Sequence, residues 1–338
     1  MTAAADVPEG KKEDRGKTVG QAMEHKKKIE NVYIIGMGAL GMLFGGLIED
    51  RIGSGHAAFL MDDERYERNY GTVPTINGVP RPFRMVRASE AEPADLIMIA
   101  AKATGLADAL VSMERAVGEE TIIISILNGI TSEEIVSERY GEEKVIHSVA
   151  QGMDAVCFDH ALTYIRPGML CVGIPAEKAA RVDGMKEKLD SLTEFFDRTG
   201  IPYQVEDDII RRQWSKFMLN CGCNQVCMVW DTGYGGMMEP ASEAFMAMTA
   251  AMREVVVLAR LEGIDLGEKD VAEYLALMRT LQPDAMPSME QDRIRKKKTE
   301  VEIFAGTVRK LAAKHGIEVP AADFLYRRIR EIEISYGQ

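Results

Sequence analysis

Gly36, Gly38 and Gly41 form G-x-G-x-x-G directly after the apolar run NVYII (31–35) and at the head of a further apolar stretch. Strand, glycine loop and helix in that order constrain the fold more than any other feature of the chain. The first glycine permits a tight turn, and the second lets backbone approach a pyrophosphate. The third lets helix and strand pack closely, so that the first helical N–H groups, around Ala39 and Leu40, face the anion. A glycine-rich packing turn is the plain alternative, but a second strand, AAFLM (57–61), follows and runs into Asp62. An acidic residue there, about 20 residues past the loop, binds the adenosine ribose hydroxyls of a dinucleotide. Asp62 favours NAD(H) and repels a 2′-phosphate, whereas Arg65 offers a phosphate its cation. A polar turn after the strand accounts for the same residues without a ligand.

Further apolar runs follow at DLIMIAA (95–101), TIIISIL (121–127) and KVIHSVA (144–150), with amphipathic segments between them. Continuous apolar runs suit strands buried on both faces of a parallel sheet, and the intervening helices supply the crossovers. Residues 30–206 therefore read as a Rossmann-type doubly wound α/β domain. LTYIRPG and MLCVGIP (162–175) are expected as an antiparallel hairpin that extends the sheet. Ligands of such a sheet sit outside the carboxyl ends of its strands. Lys102 and Asn128-Gly129 fall at two of those ends; a solvated terminus and an ordinary Asn-Gly turn are the alternatives.

Residues 207–338 read as helices, punctuated by Gly263, Gly267 and Gly316, and form an all-α C-terminal domain. Within WSKFMLNCGCN (214–224), Lys216, Asn220 and Asn224 are spaced i, i+4, i+8 and share one helix face among strongly apolar neighbours. Asparagine is a poor residue inside a helix, and a solvent stripe is more usually built from Glu, Lys and Arg. Cys221, Cys223 and Cys227 on the same helix lack the partners a metal site needs, so no metal is expected. Ser288 with Gln291 fits a helix capping box, and Glu300 with Lys296 fits an i−4 surface pair. A long helical segment is expected over 288–315.

The 338 residues suit two domains, and 53 acidic against 41 basic residues give a net charge of −12. That excess disfavours nucleic acid. Five cysteines without paired spacing argue for a reducing, cytoplasmic setting. The uncharged stretch 32–48 is short of the ~20 residues a spanning helix needs, and it carries five glycines, so no membrane is expected. Residues 1–29 are polar and are expected as a flexible extension.

Taken in order, GMGALG (36–41), Lys102, ILNG (126–129), WSKFMLNCGCN (214–224) and SMEQDRIRKKKTEVEIFAG (288–306) resemble the ketopantoate reductase family over nearly the whole chain after residue 30. The resemblance implies a cleft between the two domains and NADPH-dependent reduction of 2-dehydropantoate to (R)-pantoate, a step towards pantothenate and coenzyme A. It implies Lys216 as general acid, with Asn220, Asn224 and Ser288 holding the substrate. Glu300 would receive a substrate hydroxyl or fix the lysine, Asn128 and Lys102 would line the cofactor side, and a homodimer through the helical domain would be in keeping. The family's usual arginine near the end of the second strand is replaced here by Asp62 and Asp63, which keeps NAD(H) in view. Two other functions compete: an NAD-dependent 2-hydroxyacid dehydrogenase for a different 2-oxo acid, and a dinucleotide sensor without turnover.

Overall fold

The computed structural model describes residues 27–337. The extension expected over 1–29 lies outside the described residues up to residue 26; Ile29 is buried in the same core as Val32. From there, β1 (Val32–Ile35), α1 (Ala39–Ile52), β2 (Ala57–Met61), α2 (Asp63–Asn69), β3 (Thr75–Ile76), β4 (Val79–Pro80) and β5 (Met85–Arg87) follow in order. Next come β6 (Leu96–Ile99), α3 (Leu106–Ser112), β7 (Ile122–Ser125), α4 (Ser132–Tyr140) and β8 (Val145–Gln151). The sheet half closes with β9 (Val156–Phe158), β10 (Ala161–Thr163), β11 (Met169–Gly173), α5 (Ala176–Arg181), α6 (Met185–Thr199) and β12 (Tyr203–Val205).

The main sheet has eight strands in the order β12-β11-β8-β7-β6-β1-β2-β5. Pairing is parallel from β5 through to β8, and β11 joins β8 antiparallel with β12 beside it. Alternation along β1 explains why its run is wholly apolar. Val32 and Ile34 enter one core and Tyr33 and Ile35 the other, so both faces of the sheet are covered. The chain leaves β1 for β2 on one side and later adds β6 on the other. The crevice between the ends of β1 and β6 is therefore the topological switch point, where this architecture binds ligands.

One expectation is corrected here. Residues 162–175 are not a hairpin: β10 pairs with β3 and β9 in a separate four-stranded sheet, while β11 pairs with β8. The partner of β10 lies some eighty residues earlier (Leu162 opposite Ile76), a long-range pairing that local alternation does not encode.

Helices make up the C-terminal half. They are α7 (Ile209–Trp230), α8 (Tyr234–Met237), α9 (Glu243–Leu261), α10 (Glu268–Met278), α11 (Ser288–Ile294), α12 (Ala305–His315) and α13 (Pro320–Ser335). α7 is the axis, packed by α9, α11 and α13 and buried nearly all round, which is why its sequence shows little amphipathic contrast. Cys221, Cys223 and Cys227 are buried packing residues of that axis. The long helix expected over 288–315 is also corrected. It breaks after Ile294, Lys296 adopts φ +50°, and Thr299 and Glu300 turn inward before α12 begins.

Candidate active site

The glycine loop has the shape its sequence demands. Gly36 takes φ +106°, and a Cβ added there would stand 2.7 Å from the Ala100 carbonyl and the Ala101 N–H of the neighbouring β6 end. A Cβ at Gly41 would collide with the Gly36 carbonyl, so the third glycine is required for close packing. A Cβ at Gly38 would meet nothing within 4 Å. Its α-carbon thus faces open space at the N-cap of α1, where no side chain caps the free N–H groups of Ala39, Leu40 and Gly41. An open, donor-lined cradle of this kind fits a dinucleotide pyrophosphate.

At the end of β2, Asp62 caps α2. Its carboxylate accepts from the Arg65 N–H at 2.8 Å and from the Arg65 guanidinium at 2.9 Å. The same guanidinium also reaches Asp108, at 3.2 Å. At the end of β6, Lys102 is not free: its ammonium pairs with Asp292 of α11, 2.6 Å from each oxygen, and Asp292 is buried. Asp292 had no role in the sequence reading.

Lys216 emerges from the second turn of α7, whose N-terminus is capped by Asp208. Its ammonium donates to Asn128 Oδ1 at 2.9 Å and to the Ala150 carbonyl of β8 at 2.6 Å. Asn128 Nδ2 donates onward to Glu300 Oε2 at 3.2 Å, and Glu300 Oε1 accepts from the Ala103 N–H at 3.3 Å. The Asn128 amide is therefore a bridge, its oxygen on the lysine and its nitrogen on the carboxylate. Burial brings the Lys216 ammonium down to about 8, against the opposing pull of the Glu300 carboxylate. The surface pair expected between Glu300 and Lys296 is corrected: Glu300 is buried and faces the sheet.

The two asparagines orient one another. The Met289 N–H and the Ser288 hydroxyl both donate to Asn224 Oδ1, at 3.4 and 3.1 Å, which turns Asn224 Nδ2 towards Asn220 Oδ1 at 2.9 Å. Asn220 Nδ2 is left buried without a protein partner. An orphaned buried donor of this kind costs about 1–3 kcal/mol until something accepts from it. Ser288 is not the expected helix cap. Pro287 occupies the N-cap, and the hydroxyl is spent on Asn224.

Lys216 and Asn220 together form one wall of a cavity of about 710 Å³. Met153, Leu219, Tyr234, Tyr274 and Leu277 supply its apolar and aromatic surfaces. Asn224 and Ser288 do not border it and reach it only through Asn220. Among the described residues, no group of three or more His, Cys, Asp or Glu is placed to hold a metal ion. No helix there is long and apolar enough to cross a membrane.

A buried polar cluster behind Lys216 escaped the sequence reading. Gln213 donates to Glu133 Oε1 at 2.7 Å and accepts from His147 Nδ1 at 3.1 Å, while the Ser132 hydroxyl donates to Glu133 Oε2 at 2.8 Å. Burial pushes Glu133 up to about 7 and His147 down to about 4, so the imidazole is neutral. The available signal was His147 itself, a polar residue inside the apolar strand KVIHSVA that needs a partner once buried.

With the lysine, its two acceptors and the glycine cradle located, likeness to known proteins can be set beside them. Residues 32–153 match the family model described as Ketopantoate reductase PanE/ApbA, and residues 208–333 match Ketopantoate reductase PanE/ApbA C terminal. The chain belongs to the ketopantoate reductase family. Like that family, it is an oxidoreductase acting on a CH–OH group, with a nicotinamide dinucleotide as cofactor. The 2-dehydropantoate 2-reductase of Aquifex aeolicus (strain VF5) is 27% identical over 246 residues, covering 71% of this chain and 77% of the relative. That of Vibrio cholerae serotype O1 is 24% identical over 310 residues, 91% and 99% of the two chains. The solved complex of D-mandelate dehydrogenase with NADH shares the fold at a TM-score of 0.80, with 21% identity over 90% of this chain and 99% of that one. The two halves of this ketopantoate reductase family member meet through the Lys102–Asp292 pair and the Lys216–Asn128–Glu300 chain, and both line the cavity, the sheet half through Ala150 and Met153, the helical half through Lys216 and Asn220.

Proposed function

We propose that this protein reduces 2-dehydropantoate to (R)-pantoate with a nicotinamide dinucleotide bound at the switch-point crevice. The observation that carries the reading is the pairing of a protonated lysine with an unpartnered amide donor on one wall of one cavity. Lys216 and Asn220 stand one helical turn apart on α7 and both line the cavity, a register that lets the two side chains address the two oxygen-bearing ends of one 2-oxo acid. The cofactor, when bound, supplies the hydride that adds to the substrate carbonyl carbon.

The chain's own residues handle charge and protons. Asn220 donates to the substrate carboxylate and brings no competing acid. The Lys216 ammonium polarises the ketone oxygen and gives it a proton as alkoxide character develops. Its lowered value, about 8, keeps it protonated at neutral pH yet ready to release that proton. Asn128 and Glu300 hold the ammonium and offset its burial. Gly36–Gly41 and the α1 amides hold the pyrophosphate.

Selection between NADH and NADPH rests on the β2 end. The Asp62 carboxylate suits ribose hydroxyls, and the Arg65 guanidinium is already held by Asp62 and Asp108, which favours NADH. The related reading, a 2-hydroxyacid dehydrogenase for a bulkier substrate, draws on the aromatic walls Tyr234 and Tyr274.

The deciding experiment is steady-state oxidation of NADH and of NADPH with 2-dehydropantoate, and with an aromatic 2-oxo acid alongside. A higher kcat/KM for 2-dehydropantoate supports the first reading. A higher value for the aromatic acid overturns it in favour of the second.

A further inference from the structure

We propose that Gln213 is a positioning residue for Lys216, tying together behind the site the three segments that hold the ammonium in front of it. This rests on the reading of Lys216 as proton donor. The loop into α4 carries Asn128, which accepts from Lys216, and the first turn of α4, five residues on, carries Glu133, which accepts from Gln213. Strand β8 carries the Ala150 carbonyl, which accepts from Lys216, and His147, which meets Gln213. Helix α7 carries Gln213 and Lys216 themselves, one turn apart. The two sheet-half segments thus each contribute one contact to the lysine and one to the glutamine, and among the described residues both hydrogen bonds of the Lys216 ammonium are backed by a contact of the Gln213 amide.

Apart from the partly buried His147, the members of the network are buried. Gln213 and Glu133 are 5% and 3% exposed. Glu133 also accepts from Ser132, whose hydroxyl receives Ser125 at 2.8 Å, and Ser148 of β8 donates to the Ser125 carbonyl. A buried, fully satisfied polar network fixes the relative placement of its members more tightly than apolar packing does. Here those members are α4, β7 and β8 of the sheet half and the axial helix of the other half. The titratable groups facing Lys216 are Glu300, Cys171 and Glu133, whose ionised forms favour its ammonium, and Arg212, which opposes it; Lys178 bears on His147. None of them contacts Gln213 except Glu133, so the glutamine acts through geometry and through that one carboxyl.

The test uses Gln213→Leu, Glu133→Ala and Glu133→Gln in the full chain, with kcat and KM measured from pH 6 to 10 and dinucleotide binding as the check on folding. Gln213→Leu is expected to lower kcat about tenfold or more with KM changed less than about twofold, because a misplaced general acid costs turnover rather than uniform binding. Its alkaline midpoint falls, since an ammonium held less well gives up its proton sooner. Glu133→Ala reproduces that loss. Glu133→Gln keeps an acceptor for Gln213 and restores kcat to within about threefold of wild type at pH 7. Wild-type kcat and pH midpoint in Gln213→Leu would overturn the proposal. If Gln213→Leu does not fold, the Glu133 pair decides, and equal kcat in Ala and Gln variants overturns it. Failure of the Lys216 reading would show separately, as undiminished turnover in Lys216→Ala.

Discussion

Glu300→Gln separates the charge of the site from its shape. Glu300 reaches Lys216 through the Asn128 amide, so two hydrogen bonds and the amide between them separate the charges by roughly 7 Å. At an effective dielectric near 20, such a pair is worth about 2 kcal/mol, and water in the open cleft screens this to roughly one pH unit on the lysine. The sign follows from the physical causes: burial lowers Lys216 to about 8 and Glu300 opposes that, so a neutral residue 300 lets it fall further. On the proposed role of Lys216, reduction needs the ammonium and is lost as pH rises through its value. With the midpoint one unit lower, kcat/KM for reduction at pH 9 should drop about tenfold more, relative to wild type, than at pH 6. A second, pH-independent loss adds to it. The new amide must turn an N–H towards either Asn128 Nδ2 or the Ala103 N–H, one donor against another, at about 1–3 kcal/mol. The reverse reaction, oxidation of the hydroxy acid, needs the neutral amine, so its acidic limb should move down by the same amount. The assay is cofactor absorbance at 340 nm (about the reduced nicotinamide maximum) in both directions across pH. A uniform loss at every pH with an unmoved midpoint would refute the electrostatic role and leave only a contact to substrate.

Lys216→Ala should lose about 10²- to 10⁴-fold in kcat while keeping dinucleotide affinity, measured by fluorescence titration. Gly38→Val and Gly41→Ala should part company. The first adds a side chain to open space and weakens cofactor binding at unchanged Tm, whereas the second collides with Gly36 and lowers stability by about 1–3 kcal/mol in thermal unfolding. Asp62→Ala should lower the NADH to NADPH ratio of kcat/KM and cost about 1 kcal/mol through the lost α2 cap.

Much of the sheet half was legible because its strands are short, wholly apolar and bounded by turns. VYII, LIMI and IIIS can be buried on both faces only in a parallel sheet with helices above and below. Lys216, Asn220 and Asn224 stood out because two asparagines and a lysine recur at helical spacing among Phe, Met and Trp. What stayed hidden depends on distant partners. Ser288 and Glu300 match common local motifs, a capping box and an i−4 pair, yet the fold spends both on residues at least 64 positions away. The same holds for Lys102 with Asp292, 190 positions apart. Helix-like composition over 288–315 concealed the break at Lys296 because its cause is the inward turn of Thr299, whose N–H and hydroxyl bond Glu333 of α13. Periodicity reports which face a residue occupies, and here the chemistry was decided by what stands opposite.

The chain of amides from Met289 through Asn224 to Asn220 also fixes which way one amide on the pocket wall points. A backbone N–H can only donate, so it dictates the direction of every bond after it, and Asn220 has no freedom to rotate its oxygen outward without breaking two others. At this position of a wall that also carries the Asp270 and Glu273 carboxylates, the amide nitrogen is the atom without a partner among the described residues. On the proposed role of Asn220, an acid anion accepts from it through either oxygen, whereas the corresponding 2-oxo amide has one carbonyl oxygen to offer and must place its NH₂ group elsewhere. On that role, a preference for acids over their amides would originate two layers behind the wall of the pocket.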